Sequence, residues 1–171
     1  IGVKSEKAVY RDLYKEIRTV AIIAYDPDLF VAEEEYLSAL ELNDESLIDA
    51  SKKRLMVLGL NEPQIAALKE KNKTTGSLIL PEDKAWAYIT IYENEIGAIK
   101  PGLQVEMESV AYPGEKFMGK ISDISPVVDP MTRSIKVRAE VDNPAKKLKP
   151  NMYLDAVIKI FLGNKLSVSD D

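Results

Sequence analysis

Four polar side chains lie close together in the stretch ISDISPVVDPMTRSIKVRAEV, which spans residues 121–141. Asp129 begins a tight Asp-Pro turn, and Thr132, Arg133 and Ser134 follow at the start of an alternating strand pattern. Hydroxyl groups become good nucleophiles only when they are activated, usually by an adjacent base. The sequence contains no histidine and no cysteine. Serine–histidine and cysteine–histidine catalysis are therefore excluded.

An enzyme could instead use paired carboxylates in a pocket. Asp123, Asp129 and Asp155 are the acidic residues near the ends of predicted strands. Aspartates in such positions are far more often solvated charges than catalytic groups. We therefore expect no catalytic residues and no enzymatic activity.

The sequence also offers few metal ligands, because histidine and cysteine are absent. Copper(I) and silver favour clustered thioethers, but only Met107 and Met118 fall on neighbouring predicted strands, where they could meet across the sheet. Three consecutive glutamates, residues 33–35, fan out around a predicted helix and are interpreted as a solvated flank. We expect no metal site and no cofactor. The scattered methionines are Met56, Met107, Met118, Met131 and Met152.

Trp86, Tyr88 and Tyr92 share one side of the segment AWAYITIY and could form a stacking platform. A small barrel of this kind could bind carbohydrate or single-stranded nucleic acid. Against a nucleic-acid partner stands the net charge of −5. Aromatic residues on a barrel strand also commonly pack under a neighbouring helix, so the binding module is kept as an alternative.

The composition is that of an ordered globular protein: 171 residues, 46% hydrophobic and 30% charged. No apolar run approaches the roughly 18–20 residues that a membrane-spanning helix needs. The chain opens at Ile1 without a signal pattern, and we interpret it as a mature product or an excised piece.

Three short helices are predicted between residues 26 and 75. Apolar residues recur at helical spacing from Leu29 to Leu40, and Asp28 is the expected N-cap of this first helix. A second helix is expected from Asn43 to Gly59, and a third begins with Asn61 as its cap. The short connections require the helices to fold back in antiparallel fashion.

Strand patterns precede and follow these helices. Residues 12–25 and the segments after residue 84 alternate with period two, and Pro, Gly and Asn residues mark the turns between them. Gly119, inside a strand pattern, is the expected site of a bend or bulge. The sequence predicts an α+β protein: a small antiparallel β-barrel with an inserted short helical hairpin or three-helix bundle.

A resemblance to a known family extends over nearly the whole chain. Its most specific part is the phrase SPVVDPMTRSIKVRAEVDNPAKKLKPNMY, which resembles the β-barrel of periplasmic adaptor proteins, also called membrane fusion proteins. The opening IGVKSEKAVYRDLYKEIRTVAIIAYD and the helical segment are more similar to the heavy-metal, CusB-like branch. Family members also carry a lipoyl-like domain, split around the helices, and neither half is recognisable near residues 26–30 or 76–81. Asn151 stands where the family has glycine, and both residues tolerate positive φ.

The resemblance implies an envelope-associated periplasmic adaptor that links an inner-membrane RND transporter to an outer-membrane channel and self-associates into a ring. Cation efflux is the expected role, and an adaptor of a drug or type I secretion system is the alternative. Arg133 is expected to bind carbonyls or a carboxylate, Asp129 being nearest in sequence, or to contact the transporter or a second adaptor. The expected segments are 1–25 joining the barrel, 26–75 helical, 76–162 the barrel and 163–171 the start of a membrane-proximal part.

Overall fold

The computed structural model describes residues 9–167, so residues 1–8 and 168–171 of the expected terminal segments lie outside the described part. The protein is α+β, as predicted, with a β-barrel and three helices between its first two strands. The elements are β1 (Val9–Ile23), α1 (Pro27–Leu42), α2 (Glu45–Val57), α3 (Glu62–Lys71), β2 (Lys84–Tyr92), β3 (Gln104–Ser109), β4 (Tyr112–Asp129), β5 (Ser134–Asp142) and β6 (Tyr153–Ser167). Short 3-10 turns occupy Gly76–Leu78 and Ile96–Ala98.

The six strands close into an antiparallel barrel in the order β1-β2-β5-β4-β3-β6. β1 closes it by pairing with β2 on one side, where Ala21 lies opposite Ile89, and with β6 along its length on the other. Strand alternation sends one side chain in two to the interior, where Ile17, Ile89 and Ile158 are fully buried. The chain therefore forms its barrel from residues on both sides of the helices.

Gly119 has a different role from the bulge that the sequence suggested. It pairs regularly with Val105 and Val141, and the register shifts of β4 against β5 come later, between Ile121 and Asp123 and between Ile124 and Val128. A Cβ atom at Gly119 would lie 2.7 Å from Met107 Cε and 3.1 Å from the carbonyl oxygen of Glu140. Glycine suits this position because Met107, the Glu140 carbonyl and Val141 leave little room for a side chain.

Helix capping explains where α1 and α2 begin, and it corrects two predicted boundaries. The N-cap of α1 is Asp26, whose Oδ1 accepts from the Leu29 N–H at 3.1 Å, so the expectation for Asp28 was wrong. Asn43 ends α1 in the left-handed conformation, and Asp44 is the true N-cap of α2. Both helices thus start at an aspartate that satisfies backbone N–H groups.

The end of α2 and the start of α3 follow the sequence closely. Gly59, at φ 97°, follows the C-cap Leu58, and glycine adopts this left-handed geometry without strain. Asn61 and Gln64 form the predicted capping box, in which each side chain binds the other's backbone N–H. A turn of a few residues between the two helices is fixed by these contacts.

The helices form a second apolar core beside the barrel, and we call them the bundle. Leu29, Leu55 and Ile65 are buried inside it, and Trp86 and Tyr88 of β2 pack against it from the barrel side. The N-caps of α1 and α3 and the end of α2 lie next to the barrel, so the α1–α2 turn points away from it. The bundle therefore contacts the outer face of the barrel through one end, which we call its base: the N-caps of α1 and α3 and the end of α2.

The two connections between barrel and bundle are short and bound to each other. Only residues 24–26 separate β1 from α1, and the Asp26 N–H donates to the carbonyl oxygen of Leu78 at 2.9 Å. Between residues 9 and 167 the strands all belong to one closed barrel, so the described chain contains no second sheet of lipoyl type. Asn151 has φ 62°, which agrees with its place at a glycine position.

Candidate functional site

The β4–β5 turn brings together the four residues that the sequence singled out. Asp129 Oδ1 accepts from the N–H groups of Met131 and Thr132 at 2.8 and 3.2 Å. Its backbone carbonyl accepts from the Arg133 N–H at 2.8 Å. These backbone hydrogen bonds lower the pKa of the Asp129 carboxyl, since they stabilise its charged form. Asp129 therefore shapes the turn.

Arg133 is presented to solvent by this turn. Its φ of 51° is unusual for a residue other than glycine, and its side chain is 82% exposed. The nearest carboxylate is that of Glu93, at 4.0 Å from Nη1, so Asp129 is not the partner of its guanidinium group. Ser134 is buried and its hydroxyl contacts that of Thr132 at 2.8 Å. The arrangement offers an exposed cation, near the Glu93 carboxylate, beside two hydroxyls, and it contains no histidine to activate them.

Exposed apolar side chains surround the same turn. Met131 is 91% exposed, and Val127 and Val128 precede it on β4. The two valines line a cleft of about 490 Å³ between the β4–β5 turn and Val57 at the end of α2. A cation next to exposed apolar residues is typical of a protein interaction surface.

A second polar site, which sequence analysis missed, lies where the bundle meets the barrel. Arg138 of β5 lies over the rings of Trp86 and Tyr88, with its guanidinium carbon 5.6 Å from each ring centroid. The Tyr88 hydroxyl donates to Asp26 Oδ2 at 3.0 Å. Across the junction, the Asn61 side-chain amide donates to the carboxylate of Asp123. These contacts join the caps of α1 and α3 to three strands.

Burial changes the ionisation of this junction. It raises the pKa of the Tyr88 hydroxyl and of the Asp123 carboxyl, because both charged forms lose solvent. Among the described residues, Arg138 Nε is the buried side-chain nitrogen or oxygen without a hydrogen-bond partner. A cavity of about 30 Å³ lies beside it. One sequence signal could have revealed the site. Trp86 and Tyr88 occupy successive outward-facing positions of β2, and Lys136 and Arg138 occupy successive outward-facing positions of its partner strand β5.

Glu33 also departs from its expected role. Residues 33–35 were interpreted as a solvated flank, but Glu33 is buried and accepts from the Thr75 N–H at 2.6 Å. Burial raises the pKa of its carboxyl, and the hydrogen bonds from Thr75 oppose this. Glu33 thus anchors the segment that returns from α3 to the barrel.

Met107 and Met118, the two methionines on neighbouring strands, lie apart. Met107 is fully buried in the barrel and lies opposite Phe117, whereas Met118 is exposed and lies opposite Glu106. The two side chains point to opposite faces of the sheet, so the possible contact between them was wrong. Within residues 9–167 no group of three or more His, Cys, Asp or Glu residues is placed to hold a metal ion.

The acidic candidates are equally separate. Asp123 binds Asn61, Asp129 shapes its turn, and Asp155 lies on β6, which is not a neighbour of β4 in the barrel. Trp86 and Tyr88 are covered by the bundle while Tyr92 is exposed, so they do not form a continuous stacking platform. In the described part of the chain, no helix has both the length and the apolar character to cross a membrane.

Three solved structures share the fold of this chain. ZneB from Cupriavidus metallidurans is 14% identical, with 86% of this chain and 99% of that chain covered and a TM-score of 0.51. A MacA–MexA chimera containing the Pseudomonas aeruginosa MexA α-hairpin domain is 15% identical (95% and 87% covered, TM-score 0.55). MacA from Actinobacillus actinomycetemcomitans is 13% identical (96% and 84% covered, TM-score 0.52). At these identities the likeness establishes the fold alone.

The family is established by the sequence itself. Residues 28–75 match the CusB three alpha-helical bundle domain, and residues 84–159 match the CusB-like beta-barrel domain. The two matches follow each other in the chain and together cover most of it. No curated protein matched in a separate sequence comparison. The chain belongs to the CusB-like branch of the periplasmic adaptor, or membrane fusion, proteins of RND efflux pumps.

Proposed function

We propose that this protein links an inner-membrane RND transporter to an outer-membrane channel, without catalysing a reaction, in a pump that exports heavy-metal cations from the periplasm. The observation that carries the proposal is the match of both CusB-like domains in one chain. The separation of the acidic residues supports a scaffold role, since no two of the three candidates share a pocket in the described structure.

The end of the barrel that carries Arg133 is the proposed face toward the transporter. The paired strands β1 and β6 leave the barrel at this end, where Lys15 approaches Glu95 at 3.9 Å. Arg133 and Met131 project from the adjoining β4–β5 turn. Asp129, Thr132 and Ser134 hold that turn in shape, so we assign them a positioning role at this surface.

The bundle is the proposed element that faces the outer-membrane channel. Its α1–α2 turn points away from the barrel, but α1 has 16 residues and spans only about 24 Å. The bundle by itself is too short to be a long bridging rod. Contact with the channel would therefore require the channel to approach the adaptor or further adaptor segments to extend the reach.

Photo-crosslinking in cells tests the proposed orientation. A crosslinking residue at Met131 is expected to capture the RND transporter, whereas one at Val110 is not. Val110 is a matched control because it is 87% exposed and lies in the β3–β4 turn at the opposite end of the barrel. Equal capture at both positions, or no transporter capture at Met131, would contradict the orientation.

The cargo needs a separate experiment. Cells that lack the protein are expected to become more sensitive to heavy-metal cations and to retain their resistance to drugs and detergents. Loss of drug resistance alone would favour an adaptor of a drug pump. Tight binding of a single-stranded oligonucleotide in low salt would instead favour the binding module, for which the covered Trp86 and Tyr88 give no support.

A further inference from the structure

The small cavity between the bundle and the barrel, which we call the junction cavity, has a strongly polar lining. The bundle contributes Asp26 and the residues that follow α2, and the barrel contributes Asp123, Ser125, Lys136 and Arg138. Its volume of about 30 Å³ is close to the volume that one molecule occupies in liquid water. The junction cavity therefore has room for one very small ligand.

The charges that line the junction cavity balance each other. Asp26 and Asp123 are carboxylates, whereas Lys136 and Arg138 are cations. A metal ion would be repelled by the two cations, and an anion would be repelled by the two carboxylates. The lining therefore favours a neutral molecule that can both donate and accept hydrogen bonds.

The Nε–H group of Arg138 is the donor that such a molecule would satisfy. Among the described residues it is the buried side-chain donor without a hydrogen-bond partner, and a buried N–H is costly unless a protein group or an ordered water accepts from it. Asp123 lies opposite Arg138 in the β4–β5 register, yet no ion pair joins the two side chains in the described structure. A molecule between them could complete the contact.

Both carboxylates of the junction cavity can accept a further hydrogen bond. Asp26 accepts from the Leu29 N–H and from the Tyr88 hydroxyl, and Asp123 accepts from the Asn61 side-chain amide. An ionised carboxyl group has about four acceptor positions, so each retains positions for another donor. One donor and two acceptors give a water molecule about three hydrogen bonds, which is the usual number for a buried water.

We propose that one ordered water occupies the junction cavity, accepts from Arg138 Nε and donates to the carboxylates of Asp123 and Asp26. This water joins β4, β5 and the N-cap of α1, so it links the barrel to the bundle. Such a bridge is nearly as favourable as a direct hydrogen bond. The proposal does not rest on the proposed role in export, and failure of the crosslinking experiment at Met131 would leave it standing.

A crystal structure of the full chain, at a resolution that shows ordered waters, tests the proposal. A density peak is expected at about 2.7–3.2 Å from Arg138 Nε and from one oxygen each of Asp123 and Asp26. Crystals soaked in bromide should show no anomalous peak in the junction cavity. A bromide peak there, a direct ion pair between Arg138 and Asp123, or a cavity without a density peak would overturn the proposal.

A matched pair of variants tests the role of the Nε–H group. Arg138→Lys keeps a positive charge but removes this donor, so its crystal structure should lack the water. The Leu29 amide, which Asp26 protects, should exchange its hydrogen about fivefold faster. Lys136→Arg is the control, because Lys136 lines the same cavity but is exposed; it should retain both the water and the slow exchange.

Two results would contradict this role of Arg138. One is a water that stays in place in the Arg138→Lys structure, and the other is an equal increase in exchange for the two variants. Circular dichroism checks that both variants are folded.

Discussion

The barrel and the bundle bury their apolar residues in different ways. The barrel core draws on all six strands, and fully buried residues such as Ile17, Ile89 and Ile158 fill it. The bundle core is smaller, and Trp86 and Tyr88 of the barrel complete it. Since apolar burial is the main stabilising term in folding, the barrel can support itself while the bundle depends on the barrel. We therefore expect the barrel to be stable without the bundle, and the bundle to need the barrel for its stability.

The largest effect should come from opening a cavity in either core. Ile89→Ala in the barrel and Leu55→Ala in the bundle each remove a fully buried side chain, at a cost of about 3 kcal/mol. Hydrogen exchange should show loss of protection in both regions for Ile89→Ala, but in the bundle alone for Leu55→Ala. Full protection of the bundle in the Ile89→Ala variant would contradict the claim that the bundle depends on the barrel for its stability.

A smaller loss is expected when a side chain is forced between barrel strands. Gly119→Ala places a methyl group against Met107 and the Glu140 carbonyl, and such overpacking costs about 2 kcal/mol. Gly76→Ala is the control, since open space surrounds that position and the expected change is close to zero. Chemical denaturation measures both; equal stabilities for the two variants would refute the close approach at Gly119.

A substitution at the junction between barrel and bundle should lower the free energy of unfolding less than a cavity in either core. Arg138→Met removes the cation from the Trp86 and Tyr88 rings and is expected to cost about 1.5 kcal/mol. Lys136→Met is the control, because Lys136 is exposed and approaches the Tyr88 ring alone, at 5.5 Å. Hydrogen exchange should show faster opening of the bundle in the Arg138 variant. If Lys136→Met had the larger effect, the role of Arg138 would be wrong.

The smallest effect concerns pH. Burial raises the pKa of the Glu33 carboxyl above its ordinary 4.5, so the folded state holds this proton more tightly than the unfolded state. The contribution of Glu33 to stability therefore falls as pH rises from 4.5 through the raised pKa. Glu33→Gln keeps an acceptor for the Thr75 N–H and should remove this dependence. Urea unfolding of both proteins between pH 4.5 and 7 measures it; parallel curves would contradict the account.

The sequence predicted regular elements better than the contacts between them. The period of two in β2 and β5 and the capping box at Asn61 are local signals, and the structure contains them. Asp26 was missed as a cap because Asp28, two residues later, has the same chemistry. Local spacing also could not show that Glu33 would be buried, since its burial depends on the chain that returns through Thr75.

The candidate site shows the same limit. The sequence placed Asp129, Thr132, Arg133 and Ser134 at one turn, because they are close along the chain. It could not identify Glu93 as the carboxylate nearest Arg133, since that contact joins two different turns. The Arg138 junction was missed as well, because the strands and helices that meet there are far apart in sequence, and the facing aromatic rings of β2 and cations of β5 were its one signal.

The central claim is that the bundle is held rigidly on the barrel. Distances between two spin labels, one on each part, test this claim most directly. The chain has Cys 0, so Val57→Cys and Val127→Cys give one unique pair of labels across the cleft between α2 and β4. A bundle anchored at its base predicts a single narrow distribution of short distances. A broad distribution extending to long distances would show a bundle detached from the barrel and would contradict the account.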